Sequence, residues 1–187
     1  MSQEGIDQIV WSVDCRQIFL WIGSVSMPQP KLHLMCGKIA SGKSTLAKSL
    51  ASEHRAILLS EDRWISRLYP AEVQTVTDYV RCAKRIRDVL GPLVIDLLGV
   101  GLDVVLDFPA NTVADREWLR GLADAAGSAH CLHYLDVDDD TCRARLHARN
   151  ERGEHDFAAT DAEFDLITGY FRVPEEVEGL VIVRHCS

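Results

Sequence analysis

Gly37-Lys38-Ile39-Ala40-Ser41-Gly42-Lys43-Ser44, continued by Thr45, sets two glycines five residues apart and closes on a lysine and a hydroxyl. A short loop of this composition wraps its backbone N–H groups around anionic oxygens. The Lys43 ammonium then reaches the β- and γ-phosphates, and the Ser44 hydroxyl is available to Mg2+. The segment before the loop, Lys31-Leu32-His33-Leu34-Met35-Cys36, reads as a buried strand. The segment after it, Ser44 to Ala51, has helical spacing, with Leu46 and Leu50 four apart. Strand, glycine loop and helix arrive in the order a phosphate cradle needs; the plainer alternative is a glycine-rich turn before an ordinary helix. Residues Gly37 to Thr45 are therefore the candidate binding set for a nucleoside triphosphate, with ATP and Mg2+ as the implied ligands.

The remaining sequence sets bounds around this loop. With 187 residues and 47% hydrophobic content, the chain can bury a proper core, and its length favours one domain. A net charge of −8 disfavours broad contact with nucleic acid or anionic membrane, because such binding needs a basic surface. It leaves room for a local cationic pocket. Six cysteines, Cys15, Cys36, Cys82, Cys131, Cys142 and Cys186, show no C-x-x-C spacing and read as reduced thiols of a cytoplasmic protein. The apolar run Ile18 to Ile22 is too short to span a bilayer, which needs about 20 residues, and its acidic flank is not that of a signal peptide. Residues 1–26 form an N-terminal extension of open status. Met27, immediately before Pro28, offers an alternative translation start to Met1.

Strands and helices alternate through residues 27–187. Ala56 to Ser60 and Asp103 to Phe108 read as the second and third strands, both ending in polar residues. Between them Thr75 to Leu98 is mainly helical, with a break or kink expected at Gly91-Pro92. Asn111 or Thr112 caps a helix through Ala125, ended by Gly127. His130 to Val137 reads as a fourth strand, followed by a helix from about Asp139 to Arg149. Thr160 with Glu163 forms a capping box, and Leu180 to Val183 reads as the last strand. Alternation of this kind implies a parallel sheet covered on both faces. Ligands in such sheets sit beyond the carboxyl ends of the strands, so the residues that close the strands are the ones to weigh.

Ser60-Glu61-Asp62 closes strand two, and Asp62 is the candidate general base for phosphoryl transfer to an alcohol. The alternative is a helix N-cap for Arg63 onward, and Glu61 is the alternate carboxylate. Val104-Val105-Leu106-Asp107 is an apolar run closed by an acid, which places Asp107 with Ser44 as a candidate Mg2+ group, against a turn or capping role. Asp103 starts that strand, at the other end of the sheet, and reads as a surface residue. Arg145, Arg149 and Arg152 fall on one helix face, where they can close over the triphosphate and neutralise charge on the transferring group; a solvated face paired with Glu151 and Glu154 is the alternative. Gly153 to Ala159 reads as a mobile flap. Arg81, Lys84 and Arg85 share a helix face that reads as solvated, with contact to an acidic substrate as the alternative, and Trp64 and Tyr69 read as packing or an acceptor pocket. The seven histidines show no metal-ligand spacing along the chain.

Over roughly residues 31 to 185 the pattern resembles the P-loop small-molecule and nucleic-acid kinases grouped as AAA_33, whose relatives include chloramphenicol phosphotransferase, zeta-type toxins and polynucleotide kinase. The resemblance is carried by Gly37 to Thr45, Leu59-Ser60-Glu61-Asp62, Val104 to Asp107 and Arg143 to Asn150, with Thr160 to Phe164, Tyr170-Phe171 and Pro174 to Glu176 similar to the region after the lid. It implies a three-layer α/β P-loop NTPase fold with a parallel sheet of about five strands and a small lid. It further implies ATP-dependent phosphorylation of a hydroxyl, with Lys43 and Ser44 on nucleotide and Mg2+, Asp62 as base, and Arg145 and Arg149 acting in the transition state. Many members carry an arginine three residues after the base; here that position is Ile65, with arginines at Arg63 and Arg67. A small hydroxyl-bearing acceptor is the leading expectation. The alternatives are a polynucleotide 5′-hydroxyl, a zeta-like toxin substrate, or a non-catalytic nucleotide-dependent switch.

Overall fold

Strand β1 (Lys31–Cys36) buries every residue but its first, because it lies at the centre of a sheet with both faces covered. That is why its sequence runs apolar instead of alternating. In this computed structural model, residues 29–153 and 158–186 are described. The extension at 1–26 and residues 154–157 of the expected flap lie outside them.

Strands β2 (Ile57–Ser60), β3 (Val104–Pro109), β4 (Ala129–Asp136) and β5 (Ile182–Cys186) complete a five-stranded sheet of order β2-β3-β1-β4-β5. All pairings are parallel. Leu34 aligns with Leu106 on one side and Leu132 on the other. Ser60 aligns with Asp107, so the polar ends of β2 and β3 arrive side by side. Because β1 sits between β3 and β4, the chain turns to opposite sides of the sheet there, and a crevice opens at its carboxyl end.

Helix α1 (Lys43–His54) covers one face, packing Ala47 and Leu50 on Met35 and Val105. On the other face α2 (Glu61–Leu68), α3 (Val76–Gly99) and α4 (Val113–Ala126) bury Ile65, Ile86, Leu90, Val94, Leu98 and Leu119 against Leu32, Leu34, Leu106, Phe108 and Leu132. Each large side chain withdrawn from water contributes about 1.5–3 kcal/mol. Helices α5 (Asp139–Arg152) and α6 (Asp161–Tyr170) close a smaller cluster of Val137, Cys142, Leu146 and Phe164. The three-layer α/β expectation is met. Among the described residues no helix is long and apolar enough to cross a membrane. Cys36, Cys82, Cys131, Cys142 and Cys186 are free thiols, the first four buried.

Among the differences from the sequence reading, two bear on packing. The helix through Gly91-Pro92 does not break there: α3 continues to Gly99 with Pro92 inside it. Proline removes one helical hydrogen bond, but buried residues on either side, Leu90 and Val94, pin both halves to the core. Gly91 is itself buried, with Leu122 and Trp118 packed where a side chain would begin. The last strand begins at Ile182, two residues later than the apolar run Leu180 to Val183. Leu180 is buried as the chain approaches the sheet, whereas pairing with β4 runs on through Arg184 and His185. An edge strand keeps its ladder where its sequence is already polar.

The caps follow the sequence closely. Thr112, not Asn111, caps α4 in a reciprocal box with Asp115, and Thr160 does so with Glu163 on α6. Arg116 of α4 is fully buried and clamps the C-terminal segment. It donates from Nε and Nη2 to the Glu178 carboxylate at 2.6 and 2.8 Å, and from Nη1 to the Ala110 and Arg172 carbonyls.

Four of the histidines, unpatterned in sequence, are ordered in space. His33 Nδ1 lies 3.0 Å from His133 Nε2, and His133 Nδ1 lies 3.0 Å from His185 Nε2, a ladder crossing β1, β4 and β5. His54, the last residue of α1, stacks on His33. Asp103 is half-buried rather than a plain surface acid, and accepts from the Lys31 backbone N–H at 2.8 Å.

Candidate active site

The loop from Gly37 to Gly42 joins β1 to α1 at the crevice. Gly37 has φ 152°, and a side chain there would begin 2.7 Å from Ser41 Oγ and 3.0 Å from the Leu135 carbonyl. Only glycine fits that approach. Ala40 (φ 59°) and Gly42 (φ 107°) also take left-handed conformations, which turn successive N–H groups inward. The Gly37 N–H donates to Asn111 Oδ1 at 3.0 Å. The Lys43 ammonium donates back to the Gly37 and Lys38 carbonyls at 2.6 and 2.8 Å, which fixes it across the loop. Burial lowers its pKa, against the opposing pull of Asp107 and Asp62.

Ser44, the second residue of α1, donates to Asp107 Oδ1 at 3.1 Å, and Ser60 donates to Oδ2 at 3.2 Å. The Ser60–Asp107 register builds this contact directly. Burial raises the Asp107 pKa and the charge of Asp62 adds to the rise, while Ser44 and Lys43 oppose it. A partly buried carboxylate and hydroxyl held together in this way form a hard-oxygen donor pair suited to Mg2+.

Asp62 lies in the first turn of α2. Ser60 occupies the N-cap position, so Asp62 is not the cap that was its alternative. The Tyr79 hydroxyl, from α3, donates to Asp62 Oδ1 at 2.6 Å and lies 3.1 Å from Glu61 Oε2. Glu61 points the other way into the protein, fully buried, and accepts from Arg87 Nε at 2.8 Å; Arg87 also reaches Asp115 at 2.6 Å. Burial raises the Glu61 pKa against the stabilising guanidinium. The two neighbouring carboxylates thus divide their work: Glu61 ties α2 to α3 and α4, and Asp62 faces the crevice.

Ile39 to Thr45, Asp62, Asp107, Arg145, Arg149 and Arg152 line one cavity of about 1150 Å3. Arg145 donates to the Ser41 carbonyl at 3.3 Å. The Arg149 Nε is buried without a hydrogen-bond partner among the described residues, and burial lowers that guanidinium's pKa while Asp62 raises it. Gly37 and Lys38 lie outside the lining. Gly37 shapes the loop, and the Lys38 side chain pairs with Asp139 on α5. Trp64 and Tyr69 do not line the cavity; Tyr69 packs on the core. Arg81 pairs with Asp78, and Arg85 with Glu72. Asn111, which follows β3 by two residues and belongs to the strand-end stretch Asp107 to Asn111 that the sequence marks for the ligand, is in the lining. Sequence reasoning missed Thr75 and Tyr79, also in the lining; Tyr79 comes from a helix and is legible only through its contact with Asp62.

Fold and phosphate loop together define a P-loop nucleoside-triphosphatase architecture. Residues 32–174 match the AAA domain family AAA_33, and the chain belongs to that family. Protein KTI12 homolog of Arabidopsis thaliana is 28% identical over 146 residues, 77% of this chain and 48% of that protein; the chain thus spans about half the length of the curated relative it matches. Among solved structures, Chaetomium thermophilum Kti12 in complex with ADP-AlF3 superposes with a TM-score of 0.63, at 19% identity, covering 82% of this chain and 88% of that one. The Mycobacterium tuberculosis APS kinase CysC, in complex with AMPPNP and APS, superposes with a TM-score of 0.57, at 20% identity, covering 85% and 89%. At these identities the structural likeness establishes the fold.

Proposed function

We propose that the chain is an ATP-dependent kinase that transfers the γ-phosphate of ATP to a hydroxyl of a small molecule. The observation that carries this reading is the convergence of Asp62 on the cavity of the phosphate loop. Its charge acts on Lys43, Asp107 and Arg149 alike, which is the neighbourhood an acceptor hydroxyl must enter. A volume of about 1150 Å3 exceeds the roughly 300–1,000 Å3 of a single-ligand pocket, leaving room for an acceptor beside the nucleotide.

The loop N–H groups and Lys43 hold the β- and γ-phosphates, with Lys43 exchanging its loop carbonyl partners for phosphate oxygens. Asp62, oriented by Tyr79, receives the acceptor proton as the acceptor oxygen bonds to γ-phosphorus and the bond to the β–γ bridging oxygen breaks. ADP leaves, and a phosphate monoester remains. Arg145 and Arg149 compensate charge on the transferring group; a single preorganised donor of this kind is worth about 10²–10³ in rate. The Ser44 hydroxyl and Asp107 carboxylate are the residues that would hold Mg2+, which when bound neutralises charge on the β- and γ-oxygens. The net charge of −8 favours a small acceptor over a polynucleotide.

To test this reading, radiolabelled γ-phosphate transfer is measured across a panel of sugars, aminoglycosides, nucleosides and oligonucleotides, with wild type and Asp62→Asn in parallel. A small-molecule product made by wild type and lost in the variant is expected. Equal transfer by Asp62→Asn would remove it as base. A second reading is a nucleotide-dependent switch, for which the phosphate loop and the Ser44–Asp107 pair suffice without an acceptor. It requires slow ATP hydrolysis that no acceptor accelerates.

A further inference from the structure

We propose that His33, His54 and Asp103 form a binding site for a first-row transition-metal ion, Zn2+ foremost, at the amino end of the sheet opposite the phosphate loop. The three come from separate elements: the middle of β1, the last residue of α1, and the residue preceding β3. One ligand atom from each lies within 4.8 Å of the others. Two ligand atoms on a tetrahedral zinc, bound at about 2.0–2.2 Å, sit about 3.3 Å apart. The remaining adjustment falls on His54, whose side chain is exposed and stacked on the His33 ring at a centroid distance of 5.0 Å.

The decisive atom is His33 Nε2. His33 is 3% exposed, and its Nε2 is buried with no hydrogen-bond partner among the described residues. Buried polar atoms are seldom left in that condition. Its other nitrogen, Nδ1, is engaged with His133 Nε2 at 3.0 Å, and His133 Nδ1 with His185 Nε2 at 3.0 Å. Metal at His33 Nε2 puts the proton on Nδ1, which then donates to His133; His133 in turn donates to His185. One tautomer set satisfies the whole ladder, and it supplies the outer-shell hydrogen bond that orients a metal-bound imidazole. On the third ligand, the Lys31 backbone N–H engages Asp103 Oδ1 at 2.8 Å, which orients the carboxylate and leaves Oδ2 for the ion. The Lys31 ammonium, which acts on His33, opposes a cation there.

Two imidazoles and one carboxylate suit Zn2+, and also Co2+ or Ni2+, with a fourth position left to water. Mg2+ prefers an all-oxygen shell, so this site is chemically distinct from the Ser44–Asp107 pair. A bound ion would fasten the last residue of α1 to β1 and β3. Lys43 and Ser44 are the first residues of that same helix, so the ion would brace the helix that carries them.

The experiment uses the full chain, freed of metal by a chelator and kept in excess Mg2+ to occupy hard-oxygen sites. Zn2+ affinity is measured by competition with a chromophoric chelator, and Co2+ by its visible ligand-field bands. The expected result is one equivalent bound, at least about tenfold more weakly by His54→Ala and Asp103→Asn and about 10–100-fold more weakly by His133→Gln, the outer-shell variant. Zn2+ should raise the unfolding temperature of wild type but not of His54→Ala, whose exposed position spares the fold. Failure of wild type to take up Zn2+ or Co2+, or equal affinity in His54→Ala and Asp103→Asn, would overturn the proposal.

Discussion

The Tyr79 hydroxyl donates to Asp62 at 2.6 Å, joining the first turn of α3 to the first turn of α2. Burial raises the phenol's pKa, and the adjacent carboxylates add to that, so it acts as a fixed donor that aims one carboxylate into the cavity. Tyr79→Phe should therefore leave ATP affinity within about twofold while lowering turnover by roughly tenfold, the effect of losing one charge-assisted hydrogen bond of about 1.5 kcal/mol. Steady-state kinetics beside nucleotide titration separates the two. Equal losses in both would assign Tyr79 to binding.

Asp107 is a negative charge close to the phosphate loop and should oppose nucleotide unless a cation lies between. Asp107→Asn should bind ATP without Mg2+ as tightly as wild type or more tightly. Its apparent Mg2+ affinity should fall about 10–100-fold. Calorimetry with and without Mg2+ checks the opposite signs, and a uniform loss would point to a damaged loop instead.

Gly37→Ala places a methyl group 2.7 Å from Ser41 Oγ and 3.0 Å from the Leu135 carbonyl. The loop must shift, at a strain of about 1–3 kcal/mol, and nucleotide affinity should fall at least about tenfold while the sheet remains intact. Circular dichroism together with calorimetry reads both. A variant of wild-type affinity would contradict the tight loop geometry.

The buried Arg116 guanidinium holds the Glu178 carboxyl pKa below its ordinary value of 4.5. Since the folded pKa is depressed, this ion pair contributes fully above the unfolded value, and its contribution fades as pH falls through the folded one. Glu178→Gln should lower stability by about 3–5 kcal/mol near neutrality, because it strands a fully buried charge. The gap from wild type should narrow in acid. Urea melts from pH 7 to pH 3 test this, and a gap independent of pH would be inconsistent with it.

Much of the fold was legible because its signals are local. The glycines and lysine of residues 37–43, the apolar runs of β1 and β3, the cap at Asn111 or Thr112 and the Thr160/Glu163 box are written within a few residues of where they act. Pro92 misled because its local penalty is outweighed by core packing at Leu90 and Val94, which no window of sequence displays. Asp62 and Asp107 could be picked out as strand-end acids. The contacts that hold them, Tyr79 on Asp62 and Ser60 on Asp107, depend on helix placement and strand register. The histidine ladder is the extreme case: His33, His133 and His185 are separated by 100 and 52 residues, and only the β1-β4-β5 order makes them neighbours.

Isothermal titration of ATP with Mg2+ into the full chain, wild type against Lys43→Ala, addresses the phosphate cradle most directly. Saturable binding of one nucleotide per chain, weakened at least about tenfold when Lys43 is replaced, is the expected outcome. Absence of binding by well-folded wild type, or identical affinity in the two proteins, would contradict the cradle and the kinase reading built on it.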